Sequence, residues 1–196
     1  MAEYPAKPIM LMTAFNAGGG SDLRHRLIEK FAKGVIPQPI VVTYKAGAGG
    51  EIGWTWLVGA KADGYTIGGV DLPHIVLQPM LRPEGQPGYK TEQLSPLCGL
   101  VYDADVVMVP EDGPYKTFKD LIGYAKANPG KVKVATVGKL TGDHLFLMQI
   151  EKLTGTKFTQ VPYSGSGKAI PALLSGEVDA YFGSGSSFLR MEKTRG

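Results

Sequence analysis

Short apolar runs recur along this chain, and several pass through a small-residue turn into apolar positions spaced three or four apart. Residues 8–12 (Pro-Ile-Met-Leu-Met) lead into Ala17-Gly18-Gly19-Gly20-Ser21-Asp22 and then Leu23, Leu27, Ile28 and Phe31. Ile40-Val41-Val42 lead into Gly47-Ala48-Gly49-Gly50-Glu51 and then Ile52, Trp54, Leu57 and Val58. A compact apolar run bounded by turn residues predicts a strand, and the wider spacing predicts a helix, so strand, glycine turn and helix follow one another twice. Ala62-Asp63-Gly64 is a turn signal that introduces a third short strand at Tyr65-Thr66-Ile67. Residues 83–89, rich in proline and glycine, read as a surface loop. Residues 94–101 and 105–110 read as two extended segments around Tyr102-Asp103, a candidate crossover between domains.

The cycle then restarts. Thr117-Phe118-Lys119-Asp120 opens a helix through Leu121, Ile122, Tyr124 and Ala125, which Asn128-Pro129-Gly130 stops. Residues 132–137 form a predicted strand, and the turn from Gly138 to His144 enters a helix carrying Leu145, Leu147, Met148, Ile150 and Leu153. Strands at 158–163 and 178–182 flank a further helix at 169–174. The expected class is α/β, with mostly parallel sheets and flanking helices, and two domains at 1–102 and 103–196. In open parallel sheets ligands gather at the carboxyl ends of the strands, where these turns lie.

The turns suggest anion chemistry. Glycines let a backbone approach a ligand closely, and the first N–H groups of a helix, at its positive end, suit a carboxylate or phosphate. Ser21 also fits a helix N-cap, and Asp22 and Asp143 fit first-turn positions, roles that need no ligand. His144 is the one acid-base candidate among these turns, and Lys139 the one flexible cation. Phe15 could pack on a carbon skeleton or sit in the core.

Composition narrows the classes. The 196 residues carry 21 Lys and Arg against 18 Asp and Glu, a net charge of +3. These charges are scattered except near Arg190 to Arg195, so nucleic acid is not an expected partner. No stretch is apolar enough for stable membrane insertion. His25, His74 and His144 are too dispersed for a metal signature, and no cofactor fingerprint, phosphate-loop lysine or nucleophile elbow is present. The single Cys98 lies in an apolar segment and is expected to be a small core residue. With no leader before the first strand, the chain is expected to be cytoplasmic or to have lost a signal peptide to a start Met.

These motifs together resemble the periplasmic solute receptors of tripartite tricarboxylate transporters, the TctC-like or Bug proteins. The matching residues are Tyr4-Pro5-Ala6-Lys7-Pro8-Ile9, the Phe15 to Asp22 segment, Gly47-Ala48-Gly49-Gly50 with Ile52-Gly53, and Asp63-Gly64-Tyr65-Thr66. Ala127 to Lys131, Gly138 through Thr141 to His144-Leu145, Val161-Pro162-Tyr163 and Gly176-Glu177-Val178-Asp179 continue the order. The resemblance implies a two-domain periplasmic-binding-protein-like fold of type II. Such a receptor would close like a flytrap over a small organic carboxylate in an interdomain cleft, feed membrane permease subunits, and catalyse nothing. It implies ligand contacts at Phe15, Ala17, Gly18, Ser21, Asp22, Ala48 and Gly49, and at Thr136, Gly138, Thr141 and His144. Lys139 stands where the family has a small or amide residue, which would suit a dicarboxylate. Gly183-Ser184 replaces an Asp-Asn pair, which disfavours an amino acid ligand. Relatives return to the first domain through a further C-terminal segment. The expectation is that this segment is missing here, leaving low stability or self-association. An enzyme acting on a phosphorylated or carboxylated metabolite, with His144 as acid-base and the glycine turns as anion clamp, is the alternative reading.

Overall fold

The computed structural model describes residues 3–187, and it divides between Cys98 and Gly99 into two units. The first unit runs β1 (Ile9–Thr13), α1 (Gly20–Ala32), β2 (Ile40–Tyr44), α2 (Glu51–Val58), β3 (Thr66–Gly68) and α3 (His74–Leu81). Its strands lie in the order β2-β1-β3, all parallel, with Ile9 opposite Ile40 and Met10 opposite Thr66. Period-two alternation sends Ile9, Leu11, Ile40 and Val42 to one face, where Ile28 and Ala32 of α1 cover them. Because α1 rests on the sheet through those residues, its neighbouring row Leu23, Leu27 and Phe31 stays outside, with Phe31 68% exposed. The apolar spacing thus marked the helix correctly but not which row it buries.

On the opposite face α2 comes down on the strand ends. A Cβ at Gly53 would lie 2.8 Å from both the Ala14 Cβ and the Lys45 carbonyl oxygen, so only glycine permits this contact. Trp54, one residue on, is completely buried.

Helix α3, to which the sequence patterns assign no element, carries Pro79 in its interior, where proline removes a backbone donor. A proline there leaves the Ile75 carbonyl without its i+4 donor. Tyr89 and Thr91 hydroxyls, each 3.2 Å away, donate to that carbonyl instead. The chain beyond the helix therefore repairs the bond that the proline removes.

The second unit runs β4 (Asp105–Met108), α4 (Phe118–Ala127), β5 (Lys133–Thr136), α5 (Gly142–Thr154), β6 (Thr159–Pro162), α6 (Ser166–Leu174) and β7 (Ala180–Ser184). The sheet order is β4-β7-β5-β6, parallel except for β4, which runs antiparallel to β7. Val132, Val134, Leu147, Ile150, Phe158 and Phe182 form its core, with Phe158 and Phe182 ring centroids 5.4 Å apart. Helix α4 begins as its sequence predicts. The Thr117 side chain accepts from the Asp120 N–H, while the Asp120 carboxylate accepts from the Thr117 N–H at 2.8 Å. This reciprocal cap satisfies two donors that the first turn leaves open.

One expectation about the connection fails. Residues 94–101 carry no regular secondary structure, and Cys98 is exposed rather than buried. Leu97, Leu100 and Val101 around it are exposed as well, so the apolar character of this segment does not reflect a strand packed in a core.

Candidate anion-binding turns

In the first unit both glycine turns leave the carboxyl ends of neighbouring parallel strands, β1 and β2. Phe15 is 6% exposed and meets the Trp54 and His74 rings edge-on at 6.2 and 5.9 Å, so its body belongs to the core beneath the turn. Ala17 is exposed. Gly18 has a φ of 82°, and its N–H donates to Asp22 Oδ2 at 2.7 Å. Asp22 Oδ1 accepts from the Tyr44 hydroxyl at 2.7 Å and lies 3.4 Å from Arg26 Nε. Asp22 therefore closes the turn and ties it to the end of β2.

Ser21 is not the N-cap. The helix starts at Gly20 with Gly19 as its cap, so Ser21 falls in the first turn and its hydroxyl accepts from Arg24 at 3.0 Å. Arg24 also pairs with Asp71 at 2.9 Å, beyond the end of β3. Sequence reading missed this pair because its partners lie 47 residues apart, with no spacing to connect them. Beside them His25 is buried, with Nδ1 2.5 Å from the Thr13 hydroxyl, and burial lowers its pKa.

The second turn is left-handed throughout: φ is 137° at Gly47, 49° at Ala48, 67° at Gly49 and 100° at Gly50. Gly50 N–H donates back to the Gly47 carbonyl at 3.0 Å. Among the described residues the N–H groups of Ala48 and Gly49 make no hydrogen bond. Alanine is disfavoured at such φ by its Cβ, and a strained residue held in place often marks a functional turn.

The β5–α5 turn of the second unit gathers Thr136, Gly138, Lys139, Thr141 and His144. Thr136 is fully buried, and its hydroxyl accepts from Gln160 Nε2 at 2.8 Å. Thr141 is the N-cap of α5; its hydroxyl donates to the Gly138 carbonyl at 2.9 Å and accepts from the His144 N–H at 3.4 Å. Lys139 is exposed. Leu140, with φ 57°, is the only described non-glycine residue besides Ala48 with a positive φ. Its N–H donates to His144 Nδ1 at 3.2 Å. With Nδ1 accepting, the ring proton sits on Nε2. Burial, and then Lys139, lower the His144 pKa, which keeps the imidazole neutral at pH 7 as an Nε2–H donor.

Asp143 occupies the first turn of α5 as expected, but its carboxyl turns inward. It accepts from Val137 N–H at 3.1 Å and is hydrogen-bonded by Tyr181 of β7. Gly183 makes room for it, since a Cβ there would lie 2.6 Å from Asp143 Oδ2 and 2.5 Å from the Tyr181 hydroxyl. Burial, the largest cause, pushes the Asp143 pKa up to about 7, and Asp105 adds to the rise. Among the described residues no three His, Cys, Asp or Glu side chains group as metal ligands. None of the described helices is long and apolar enough to cross a membrane.

The profile of the TctC family, described as the tripartite tricarboxylate transporter family receptor, matches residues 25–192. Protein BugT of Bordetella pertussis is 33% identical over 183 residues, covering 90% of this chain and 54% of BugT. The periplasmic binding protein BugD superposes with a TM-score of 0.83 at 29% identity, over 93% of this chain and 60% of that one. A protein of R. palustris solved with adipate shares the fold, with a TM-score of 0.85 at 24% identity over 98% of this chain and 64% of that chain. The chain spans about half the length of the curated relatives it matches.

Proposed function

Because the chain belongs to the tripartite tricarboxylate transporter receptor family, we propose that it is an extracytoplasmic solute receptor for a small mono- or dicarboxylate. It works in the periplasm and passes its cargo to membrane permease subunits of a tripartite transporter. The observation that carries this reading is the Ala48–Gly49 turn, held left-handed with two N–H groups that donate to nothing else among the described residues. Such amides suit carboxylate oxygens, which each accept more than one hydrogen bond. Phe15, Ala17, Gly18, Ser21 and Asp22 form the neighbouring contact region. In the second unit Gly138, Lys139 and the His144 Nε2–H supply further donors, with Thr136 and Thr141 holding that turn in shape.

The reading is of binding without turnover. His144 already accepts a backbone N–H on Nδ1, and its lowered pKa makes it a donor more than a proton carrier. Lys139 meets the second acid group of a dicarboxylate. Replacing Lys139 with alanine is expected to weaken dicarboxylates about tenfold while leaving monocarboxylates unchanged, by calorimetric titration. Equal loss for both classes would remove Lys139 from that role.

Thermal melting against mono-, di- and tricarboxylates, amino acids and nucleotides tests the function itself. A ligand at about 100 times its Kd adds about 2.7 kcal/mol, a clear upward shift. A shift from one carboxylate class is the expected result. A shift from nucleotides alone, accompanied by their turnover, would replace the receptor with an enzyme.

A further inference from the structure

The strained turn at Ala48–Gly49 is not held by its own residues alone. Gln78, on α3 and completely buried, donates from Nε2 to the Gly49 carbonyl at 2.8 Å. Arg82, four residues later at the end of the same helix, donates from one guanidinium nitrogen to the Ala48 carbonyl at 3.1 Å. Its other terminal nitrogen lies 3.0 Å from Glu51 Oε2 in the first turn of α2. Residues i and i+4 share a helix face, so α3 presents two donors in register with two successive carbonyls.

In a trans peptide the carbonyl of one residue and the N–H of the next point in opposite directions. Fixing the Ala48 carbonyl toward Arg82 therefore turns the Gly49 N–H away from α3. Fixing the Gly49 carbonyl toward Gln78 turns the Gly50 N–H onto the Gly47 carbonyl, which closes the turn. Both side chains keep an unpartnered buried atom, Gln78 Oε1 and Arg82 Nε, so neither is optimised as a core or surface residue. A buried amide whose one hydrogen bond is to a strained turn has its clearest use in setting that turn.

We infer that Gln78 and Arg82 are positioning residues for anion binding: from α3 they hold the carbonyl side of the Ala48–Gly49 turn so that its amide side is presented to a carboxylate. This inference rests on the receptor reading for the ligand and on the turn geometry for the mechanism. Gln78→Met keeps the volume and removes the donor. Arg82→Lys keeps a charge for Glu51 and loses the fork that reaches both partners.

The test has two arms. In the ligand-free protein, 15N–1H spectra read the amides of Ala48, Gly49 and Gly50. With the carboxylate that raises the melting temperature most, calorimetry reads Kd. The expected result is displaced Gly49 and Gly50 amide resonances in both variants and about tenfold weaker binding, at melting temperatures close to that of the parent protein. Unmoved amides overturn the inference whatever the ligand result, and so does unchanged Kd with moved amides. If no carboxylate binds the parent protein, the receptor reading falls, while the amide arm still decides whether α3 sets the turn. If Gln78→Met fails to melt cooperatively, Arg82→Lys, on a partly exposed side chain, decides alone.

Discussion

Gly50→Ala is expected to destabilise the first unit by about 3 kcal/mol or more, and to abolish carboxylate binding in whatever protein remains folded. Two costs coincide at this position. The backbone has φ 100°, where a Cβ clashes with its own chain. The new methyl would also lie 2.5 Å from the Trp54 ring, which is completely buried beneath Phe15, His74 and Tyr89 and has no room to retreat. Chemical denaturation of the parent and variant gives the number. A loss under about 1 kcal/mol would mean that the turn is more plastic than its φ angles imply. Gly59→Ala is the control: it sits at the C-cap of α2 with φ −82°, and the nearest atom to an added Cβ is 3.6 Å away.

The second large effect is a pH dependence centred on Asp143. Its carboxyl is buried at the end of β5, facing Tyr181 of β7 and the Val137 N–H, with Asp105 of β4 adding negative potential. In the folded chain it keeps its proton to about pH 7, whereas the unfolded chain releases it near 3.8. Between those values the folded state binds more protons, so the stability this group contributes is full below about pH 4. It is lost as pH rises through about 7. Roughly three pKa units correspond to about 4 kcal/mol across the window. His25, His74 and His144 act in the opposite sense. Burial lowers each imidazole pKa below 6.5, so each loses stability as the pH falls through that value. The readout is therefore the difference between the parent and Asp143→Asn, measured from pH 5 to 8.5. The parent should lose stability relative to the variant as pH rises from 5, most steeply below about 6.5, and the difference should level off above about 7. Parallel curves would show that Asp143 is ionised in the folded protein at all these pH values.

Residues whose constraints are local were legible in the sequence. The Thr117–Asp120 cap, the Asn128-Pro129-Gly130 stop and the strand starts all follow from neighbours within a few positions; the cap and the stop appear where expected, and the strands start within two residues of their expected positions. The glycine turns belong to this group too, since left-handed backbone selects glycine directly. Residues defined by long-range partners were not legible. Arg24 finds Asp71, Gln78 finds the Gly49 carbonyl, and Gly183 is small because Asp143 and Tyr181 fill its space. None of these contacts leaves a spacing to read. Helix α3 was hidden for a related reason: the Ile75 carbonyl freed by Pro79 is satisfied by Tyr89 and Thr91, beyond the helix itself. Cys98 shows the reverse error, in which local apolar character is taken for burial when the segment forms no strand.

For the candidate site, sequence named the turns and structure divided the labour within them. Asp22 and Thr141 hold their own turns closed, Thr136 is buried under Gln160, and Ala48, Gly49 and the His144 Nε2–H are the groups left to donate outward. A helix-cap reading of Ser21 was two residues out, because α1 starts at Gly20 with Gly19 as its cap.

The central claim is that turn amides bind a carboxylate, and a 15N–1H titration of the parent protein with the best carboxylate from the melting panel tests it most directly. The account predicts saturable shifts concentrated at the amides of Ala48 and Gly49 and of Gly138 to Leu140, with the His144 Nε2–H moving in step. Saturable binding that leaves those amides unmoved, or no response to any carboxylate, would contradict it.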